Sequence, residues 1–212
     1  FMQNQQPSAL KEIRVHGTQD FPCAFYQTGT RIKGNMVKHH WHEEVELLYF
    51  SGGEFCLEVN MERFNISEEC FYVINPGELH SISVEKNGGC VENAVVFHMD
   101  MLSSAYALDQ IQTNLIQPVQ NGSIQFPRCL RKNEPAFEPV RKSYEEIRNV
   151  FGGDSFRENY YDGEAVTDDI TRQLFIKSAL LRILAVLSAN NLFEVTEKNH
   201  DHRIETIKTT LT

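Results

Sequence analysis

The sequence predicts a mainly β protein with an α-helical appendage, in which a barrel of short strands precedes two long C-terminal helices. Residues 11–100 contain short apolar segments separated by turn residues, which is typical of an antiparallel sandwich or barrel. From about residue 133 onward, apolar residues recur every three or four positions, which is the period of a helix. The 212 residues, 41% of them hydrophobic, suffice for one sizeable core.

The first half of the chain is predicted to form nine strands. They span 12–16, 21–28, 35–42, 44–50, 54–59, 63–66, 71–74, 80–84 and 91–98. Turn residues such as Gly52-Gly53 and Asn75-Pro76-Gly77 separate several of them. The strand 44–50 is apolar on both faces, so we expect one face to line the barrel and the other to be covered by the helices.

The first predicted helix carries a single apolar stripe and ends at Gly152-Gly153. The stripe consists of Phe137, Val140, Tyr144, Ile147 and Phe151. A longer helix is predicted from about Val166 to Asn190, with Thr167 or Asp168 as its N-cap. Its broad apolar arc consists of Phe175, Ile176, Ala179, Leu180, Ile183, Leu184, Val186 and Leu187.

The longer helix also has a second, narrower apolar surface. Leu174 and Leu181 lie seven residues apart among polar side chains. This strip could contact a partner subunit, or it could belong to the intramolecular core. The sequence leaves both alternatives open.

Three segments follow from these patterns: a barrel at 1–130, a helical region at 131–193, and a terminal segment at 194–212. The terminal segment begins with a polar linker and continues into the amphipathic start of another helix, Arg203–Thr212. A helix this short does not fold by itself, which predicts that the chain stops inside a further domain.

Composition excludes several classes of function. The formal net charge of −9 disfavours DNA binding by these residues, because phosphate backbones repel an acidic surface. No stretch of about 20 apolar residues predicts a membrane span, and no secretory leader opens the chain. The five cysteines are odd in number and form no Cys-x-x-Cys pair, which favours a reducing, cytoplasmic location.

The candidate site consists of His40, His42, Glu46 and His80. Alternate residues of a strand point to one face, so the first three could share one wall of the barrel, and His80 could reach it from a neighbouring strand. Such a set can hold a divalent metal (zinc, iron, manganese or nickel), or it can form hydrogen bonds to a small polar molecule. Leu48, Phe50 and Tyr72 are predicted to line the same interior and to complete a ligand pocket.

The spacing of Gly34, His40, His42, Glu46 and Gly53 resembles the first motif of the cupin barrels at every signature position. This resemblance implies a double-stranded β-helix barrel, or jelly roll.

The second cupin motif is matched in part. Pro76 and His80 fall in place, whereas Cys70 and Val84 stand where a glycine and an asparagine are usual, and Gly77 directly follows Pro76.

A more specific resemblance covers nearly the whole chain. The segments His40-Trp-His-Glu-Glu-Val-Glu-Leu-Leu-Tyr-Phe50, Tyr72-Val-Ile-Asn-Pro-Gly-Glu-Leu-His80 and Val96-Phe-His-Met-Asp100 are similar to the sensor domain of AraC/XylS-type transcription regulators. Asn121-Gly-Ser-Ile-Gln-Phe-Pro127, leading into two helices, fits the same family.

The AraC/XylS resemblance implies a non-enzymatic domain that binds a small polar effector, such as a sugar, in the barrel without requiring a cofactor. It implies a homodimer through residues 166–190 and DNA binding only through a domain absent from these residues. Arg203–Thr212 resembles the first helix of that domain. The rival interpretation is a metal-dependent cupin enzyme of the dioxygenase or sugar isomerase type, whose open coordination sites would activate oxygen or a hydroxyl group.

Overall fold

Two antiparallel sheets face each other in the computed structural model, which describes residues 10–87, 90–152, 164–165 and 169–196. The first eight strands are β1 (Cys23–Thr30), β2 (Gly34–His40), β3 (Val45–Phe50), β4 (Phe55–Val59), β5 (Glu62–Ile66), β6 (Cys70–Ile74), β7 (His80–Val84) and β8 (Cys90–Phe97). Four short strands follow: β9 (Ile124–Gln125), β10 (Cys129–Arg131), β11 (Glu164–Ala165) and β12 (Glu194–Val195).

The larger sheet has the order β10-β6-β3-β8-β1-β11, and the smaller has the order β2-β7-β4-β5. The register aligns Glu46 of β3 with Ile74 of β6 and Val96 of β8. On the other sheet, His40 of β2 pairs with His80 of β7. The predicted fold class, a jelly roll followed by two long helices, is confirmed.

Each face of β3 belongs to a different hydrophobic core. Leu48 and Phe50 join the core between the two sheets, whereas Val45, Leu47 and Tyr49 join the core beneath the helices. The prediction from its two apolar faces is therefore confirmed. The alternation of side chains along a strand makes β3 the wall that both cores share.

Two long helices cover the outer face of the larger sheet: α2 (Phe137–Val150) and α3 (Ile170–Ala189). A 3-10 turn (Met99–Leu102), a π-helical segment (Gln112–Ile116) and the short α1 (Gln117–Gln120) precede them. Every residue of the predicted stripe on α2 is buried. The helix ends before Gly152, whose φ of 95° lies in the left-handed region that favours glycine.

The prediction for α3 needs two corrections. The helix begins at Ile170, with Asp169 as its N-cap, and the predicted caps Thr167 and Asp168 lie outside the described residues. The Asp169 carboxylate accepts hydrogen bonds from the backbone N–H groups of Thr171 and Arg172, at 2.9 and 3.2 Å. Phe175, predicted to lie in the buried arc, is 58% exposed and lines a surface pocket together with Asn149 and Val150 of α2.

Two segment predictions near the ends of the described chain were also wrong. Residues 12–16 form no strand, and this segment is held against the barrel by an isolated bridge between Lys11 and Trp41 and by the side chains of Glu12 and His16. Glu194–Val195 was assigned to the linker, but it pairs with β9. The rest of that linker and the predicted helix Arg203–Thr212 lie outside the described residues.

None of the helices in the described part of the chain combines the length and the apolar character that crossing a membrane requires.

Candidate functional site

Three histidines and one glutamate meet at one end of the space between the sheets. The ring centroids of His40 and His80 are 4.3 Å apart, and those of His42 and His80 are 5.1 Å apart. Glu46 Oε2 lies 2.9 Å from His80 Nε2 and 3.3 Å from His42 Nε2. The structure thus brings together all four residues of the predicted cluster.

The geometric reason for this meeting differs from the predicted one. His40 ends β2 in the smaller sheet, and Glu46 lies on β3 in the larger sheet. His42 lies in the connection between them. The cluster therefore bridges the two sheets, whereas the prediction placed its first three members on one wall.

The loop from Asn75 to Leu79 positions His80. Gly77, with a φ of 80°, donates its backbone N–H to the carbonyl of His42 at 2.7 Å, which joins the loop to the cluster. The Glu78 carboxylate accepts the backbone N–H of Asn75 at 2.7 Å inside the same turn. His80 follows this turn directly and pairs with His40.

A partly buried ion pair holds this loop against the larger sheet. The Arg128 guanidinium donates through both terminal nitrogens to the two carboxylate oxygens of Glu78, and also to the carbonyl of Val73. The bidentate geometry fixes the direction of the carboxylate. The sequence analysis missed Arg128, and no signal in the sequence marks it, because it is 50 residues away from Glu78 along the chain.

Hydrogen bonds on the outer side of the three rings fix their tautomers. Nδ1 of His40 lies 2.8 Å from the carbonyl of Lys38, Nδ1 of His42 lies 3.2 Å from that of Glu44, and Nδ1 of His80 lies 3.0 Å from that of Glu78. A carbonyl oxygen only accepts, so each Nδ1 must carry the proton. When the three rings are neutral, their Nε2 lone pairs therefore point into the cluster.

The electrostatics of the cluster favour a positive charge at its centre. Burial alone would raise the pKa of Glu46, but interactions with His42 and His80 hold that pKa well below its usual range. Burial acts to lower the pKa of His42, yet the Glu46 carboxylate raises it. Burial and the neighbouring His80 lower the pKa of His40. Without a metal, a proton on His42 is thus the preferred source of that charge.

The donor set fits a divalent metal. One ligand atom from each of the four residues lies within 4.8 Å of the others. Nε2 of His80 is buried without a well-aligned hydrogen-bond partner, although Glu46 Oε2 is only 2.9 Å away. Imidazole nitrogens backed by carbonyls, together with a carboxylate, are typical ligands of zinc and iron.

The N-terminal segment adds two residues that the sequence analysis did not select. Glu12 Oε2 lies 3.4 Å from His40 Nε2 and 3.2 Å from His16 Nε2. His16 is only 3% exposed, and its Nδ1 lies 2.6 Å from the hydroxyl of Tyr26. With His42, Glu12 and His16 form a second group of candidate metal ligands. The sequence pattern predicted only a strand at 12–16, and it did not indicate that the side chains of Glu12 and His16 lie next to the histidine cluster.

The predicted lining residues are buried inside the barrel at different depths. Leu48 and Phe50 are fully buried in the core between the sheets, and Tyr72 joins them with its ring 6.2 Å from that of Phe50. Because a strand rises about 3.3 Å per residue, Phe50 lies about 13 Å along β3 from Glu46. A ligand contact for these three residues remains a prediction.

One further acid, Glu92, is buried in the described interior. Burial and the charge of Glu46 raise its pKa well above the usual range, and its Oε1 has no hydrogen-bond partner. The hydroxyl of Thr28, its neighbour across the ladder, is also unpartnered. The barrel interior is therefore apolar with a few polar groups at separate levels.

Comparison with known proteins gives a family. Residues 27–149, more than half of the chain, match the model of the AraC-like ligand binding domain. The chain is 28% identical over 114 residues to an uncharacterized HTH-type transcriptional regulator, YdeC, of Bacillus subtilis. That match covers 50% of this chain and 39% of the regulator, so the chain spans about two fifths of the curated relative.

Two solved structures are similar to parts of this chain. A Thermotoga maritima protein described as a predicted oxalate decarboxylase has 24% identity and a TM-score of 0.33, covering 35% of this chain and 67% of that one. A cupin protein from Bacteroides fragilis has 14% identity and a TM-score of 0.33, covering 41% of this chain and 70% of that one.

Proposed function

Because the chain belongs to the family of AraC-like ligand binding domains, we propose that it is the effector-sensing and dimerisation part of an AraC-like transcription regulator. The observation that carries the proposal is the cluster of His40, His42, Glu46 and His80 in a largely apolar barrel, in which His40 is half-buried and the other three residues are buried. Binding at this cluster would favour one arrangement of the regulator over another, and a coupling of about 1–3 kcal/mol suffices for regulation.

The chemistry of the cluster selects the effector class. With His42 protonated, the Nε2 lone pairs of His40 and His80 and the Glu46 carboxylate still make it rich in hydrogen-bond acceptors. A matching ligand must supply donors, and a sugar or another polyhydroxylated metabolite does so with several hydroxyl groups. Leu48, Phe50 and Tyr72 would supply the apolar surface against which such a ligand packs.

A divalent metal held by the same four residues is compatible with this role. As a Lewis acid it would bind and orient an effector hydroxyl or carboxylate. We propose that the domain is not an enzyme, in keeping with its family, and that the regulator is cytoplasmic and contacts DNA through a separate domain.

A panel of sugars and polyols tests the sensing role by thermal shift on metal-free protein. We expect at least one compound, at about 100 times its dissociation constant, to stabilise the wild type by about 2.7 kcal/mol, or roughly 5–10 °C. His40→Ala should lose this shift, because it removes the Nε2 acceptor of His40 from the cluster.

His39→Ala is the matched control, since His39 is adjacent but directs its side chain to Glu58 and Ser81 on the surface. Equal responses of the two variants, or no response of the wild type to any compound, would contradict the sensing role.

Dimerisation through residues 166–190 is the second part of the proposal. Leu174 and Leu181 project from one side of α3 and are 61% and 43% exposed, and Phe175, 58% exposed, lies at the edge of this face. Large apolar side chains clustered on one exposed helix face are typical of an interface between subunits.

We expect Leu174→Glu combined with Leu181→Glu to convert a dimer into a monomer, because charges in the centre of an interface cost about 2–4 kcal/mol or more. Analytical ultracentrifugation measures the change. Ile32→Glu, at another exposed apolar position outside α3, should leave the dimer intact. A wild type that sediments as a monomer would contradict this part.

A further inference from the structure

The end of the barrel opposite the histidine cluster contains two cysteines and a tyrosine around one pocket. Cys70 pairs with Phe50 across the β3–β6 ladder, four residues away from the level of Glu46. The pocket has a volume of about 620 Å³, and Cys70, Tyr72, Cys129 and Arg131 are among its lining residues. It lies where β10 forms the edge of the larger sheet.

The strand register places the three side chains on one face. Cys129 is the direct partner of Tyr72, and Arg131 is the direct partner of Cys70. Residues two apart along a strand point to the same side, so Cys70, Tyr72, Cys129 and Arg131 all face the pocket. A thiol on an edge strand at a pocket wall is accessible from solvent.

Exposure separates Cys129 from the three other cysteines whose side-chain burial the structure describes. Cys23, Cys56 and Cys70 are buried, whereas Cys129 is partly exposed, and all four are free thiols. Burial raises the pKa of Cys23, which makes that thiol unreactive.

The surroundings of Cys129 stabilise its thiolate. A hydrogen bond from Cys70, followed by one from Tyr72 and the positive charge of Arg131, lowers the pKa of Cys129 to about 7, although burial and Glu134 oppose this shift. Cys70 correspondingly has a raised pKa and stays a donor. Of the nearby charges, Lys132 is paired with Glu69, so Arg131 is the cation that acts on the thiolate.

We propose that Cys129 is the reactive thiol of an oxidative modification site at this end of the barrel, and that its reactant is a small hydroperoxide. Cys70 and Tyr72 are positioning residues that share the face of the ladder with Cys129. The site is separate from the histidine cluster and does not depend on the function proposed for it.

The modification is a two-electron transfer. The Cys129 thiolate attacks one peroxide oxygen, so a sulfur–oxygen bond forms and the oxygen–oxygen bond breaks. The thiolate is oxidised to a sulfenic acid. The second peroxide oxygen leaves as hydroxide, or as an alkoxide from an organic peroxide, and is protonated to water or an alcohol.

Alkylation of the native protein by iodoacetamide, followed by peptide mapping across pH 5.5–9.5, tests the thiol. We expect the Cys129 rate to have its midpoint near pH 7 and, at pH 7, to exceed that of an ordinary exposed cysteine by about 10-fold, since an unperturbed thiol titrates near 8.5. A midpoint at or above 8.5 would overturn the proposal.

Variants of the donors distinguish positioning from a merely structural role. Cys70→Ala should move the midpoint upward and slow alkylation at pH 7 about 5-fold, whereas Cys70→Ser, which retains a donor, should restore most of the rate. Tyr72→Phe should also raise the pH midpoint of Cys129 alkylation. It replaces the Cys70 variants in this test if they fail to fold. Unchanged midpoints in all folded variants would contradict the assignment.

Hydrogen peroxide followed by dimedone, with intact-mass detection, tests the reaction itself. One dimedone adduct is expected on the wild type and on Cys56→Ser, and none on Cys129→Ser. An adduct that persists in Cys129→Ser, or none on the wild type, would overturn the proposal, and neither result bears on effector binding at the histidines.

Discussion

Replacing Glu46 with glutamine is expected to lower the affinity of the barrel for a divalent cation by at least about 100-fold. Glu46 is the one carboxylate of the four-residue cluster, and it is 4% exposed. Even residues behind metal ligands change affinity by about 10–100-fold, so the loss of an anionic ligand should cost more. Cobalt(II) titration followed by calorimetry and visible absorption measures the affinity.

Glu44→Gln is a closely matched control. The Glu44 carboxylate is two residues away at the rim and approaches His42 only on its Nδ1 side, at 3.6 Å. We expect nearly wild-type cobalt affinity in this variant, because that nitrogen donates to the backbone. A wild type that binds no cobalt, or equal affinities in the two variants, would contradict a metal site at Glu46.

The same variant should change the pH dependence of stability in the metal-free protein. The lowered pKa of Glu46 means that its contribution is present above its ordinary value of 4.5 and is lost as the pH falls. The raised pKa of His42 means that its contribution is present below its ordinary value of 6.5 and is lost as the pH rises. The ion pair therefore stabilises most between these two values.

Melting temperatures from pH 4 to pH 9 show the effect. Glu46→Gln should be most destabilised relative to the wild type near pH 6, with the difference shrinking toward pH 9 as His42 loses its proton. A difference that grows steadily up to pH 9 would mean that the pair is not ionic.

Replacing Arg128 with alanine is expected to destabilise the fold by about 2–4 kcal/mol. The change leaves the Glu78 carboxylate, 7% exposed, without its bidentate partner and frees the loop that precedes His80. Partial exposure of the arginine itself places the cost below that of a fully buried pair. Urea denaturation monitored by circular dichroism measures the free energy of unfolding.

Two variants make this result specific. Arg141→Ala removes an exposed arginine paired with Glu138 one turn away on α2, and should cost less than about 0.5 kcal/mol. Arg128→Lys keeps the positive charge but cannot form the bidentate hydrogen bonds, so we expect a loss of unfolding free energy between those of the other two variants. Similar losses for the Arg128→Ala and Arg141→Ala variants would show that the partly buried pair does not anchor the loop.

Strand and helix periods were sufficient to predict the architecture of this chain. Apolar side chains on both faces of β3 required a second covering layer, and the stripe from Phe137 to Phe151 provided it. Local pattern determines such features because burial of one face follows directly from the period of the element. Phe175 was the exception, because the exposure of a residue at the edge of an apolar helix face depends on how the neighbouring helix packs, which the period does not reveal.

The membership of the histidine cluster was also predictable from sequence, whereas its geometry was not. Motif spacing selected His40, His42, Glu46 and His80, but a continuous strand was the wrong reason for their meeting. The chain turns after His40, so the cluster forms between two sheets and depends on how they face each other.

The periodicity and spacing of the sequence by itself therefore determined a barrel of short strands, the covering helices and the four side chains of the site, and the resemblance to the cupin barrels implied the jelly roll. Only the tertiary structure decided that Glu12 and His16 reach the cluster, that Arg128 anchors the loop before His80, and that Cys129 meets Cys70. Each of these contacts joins segments that are distant along the chain, and local sequence carries no information about such distances.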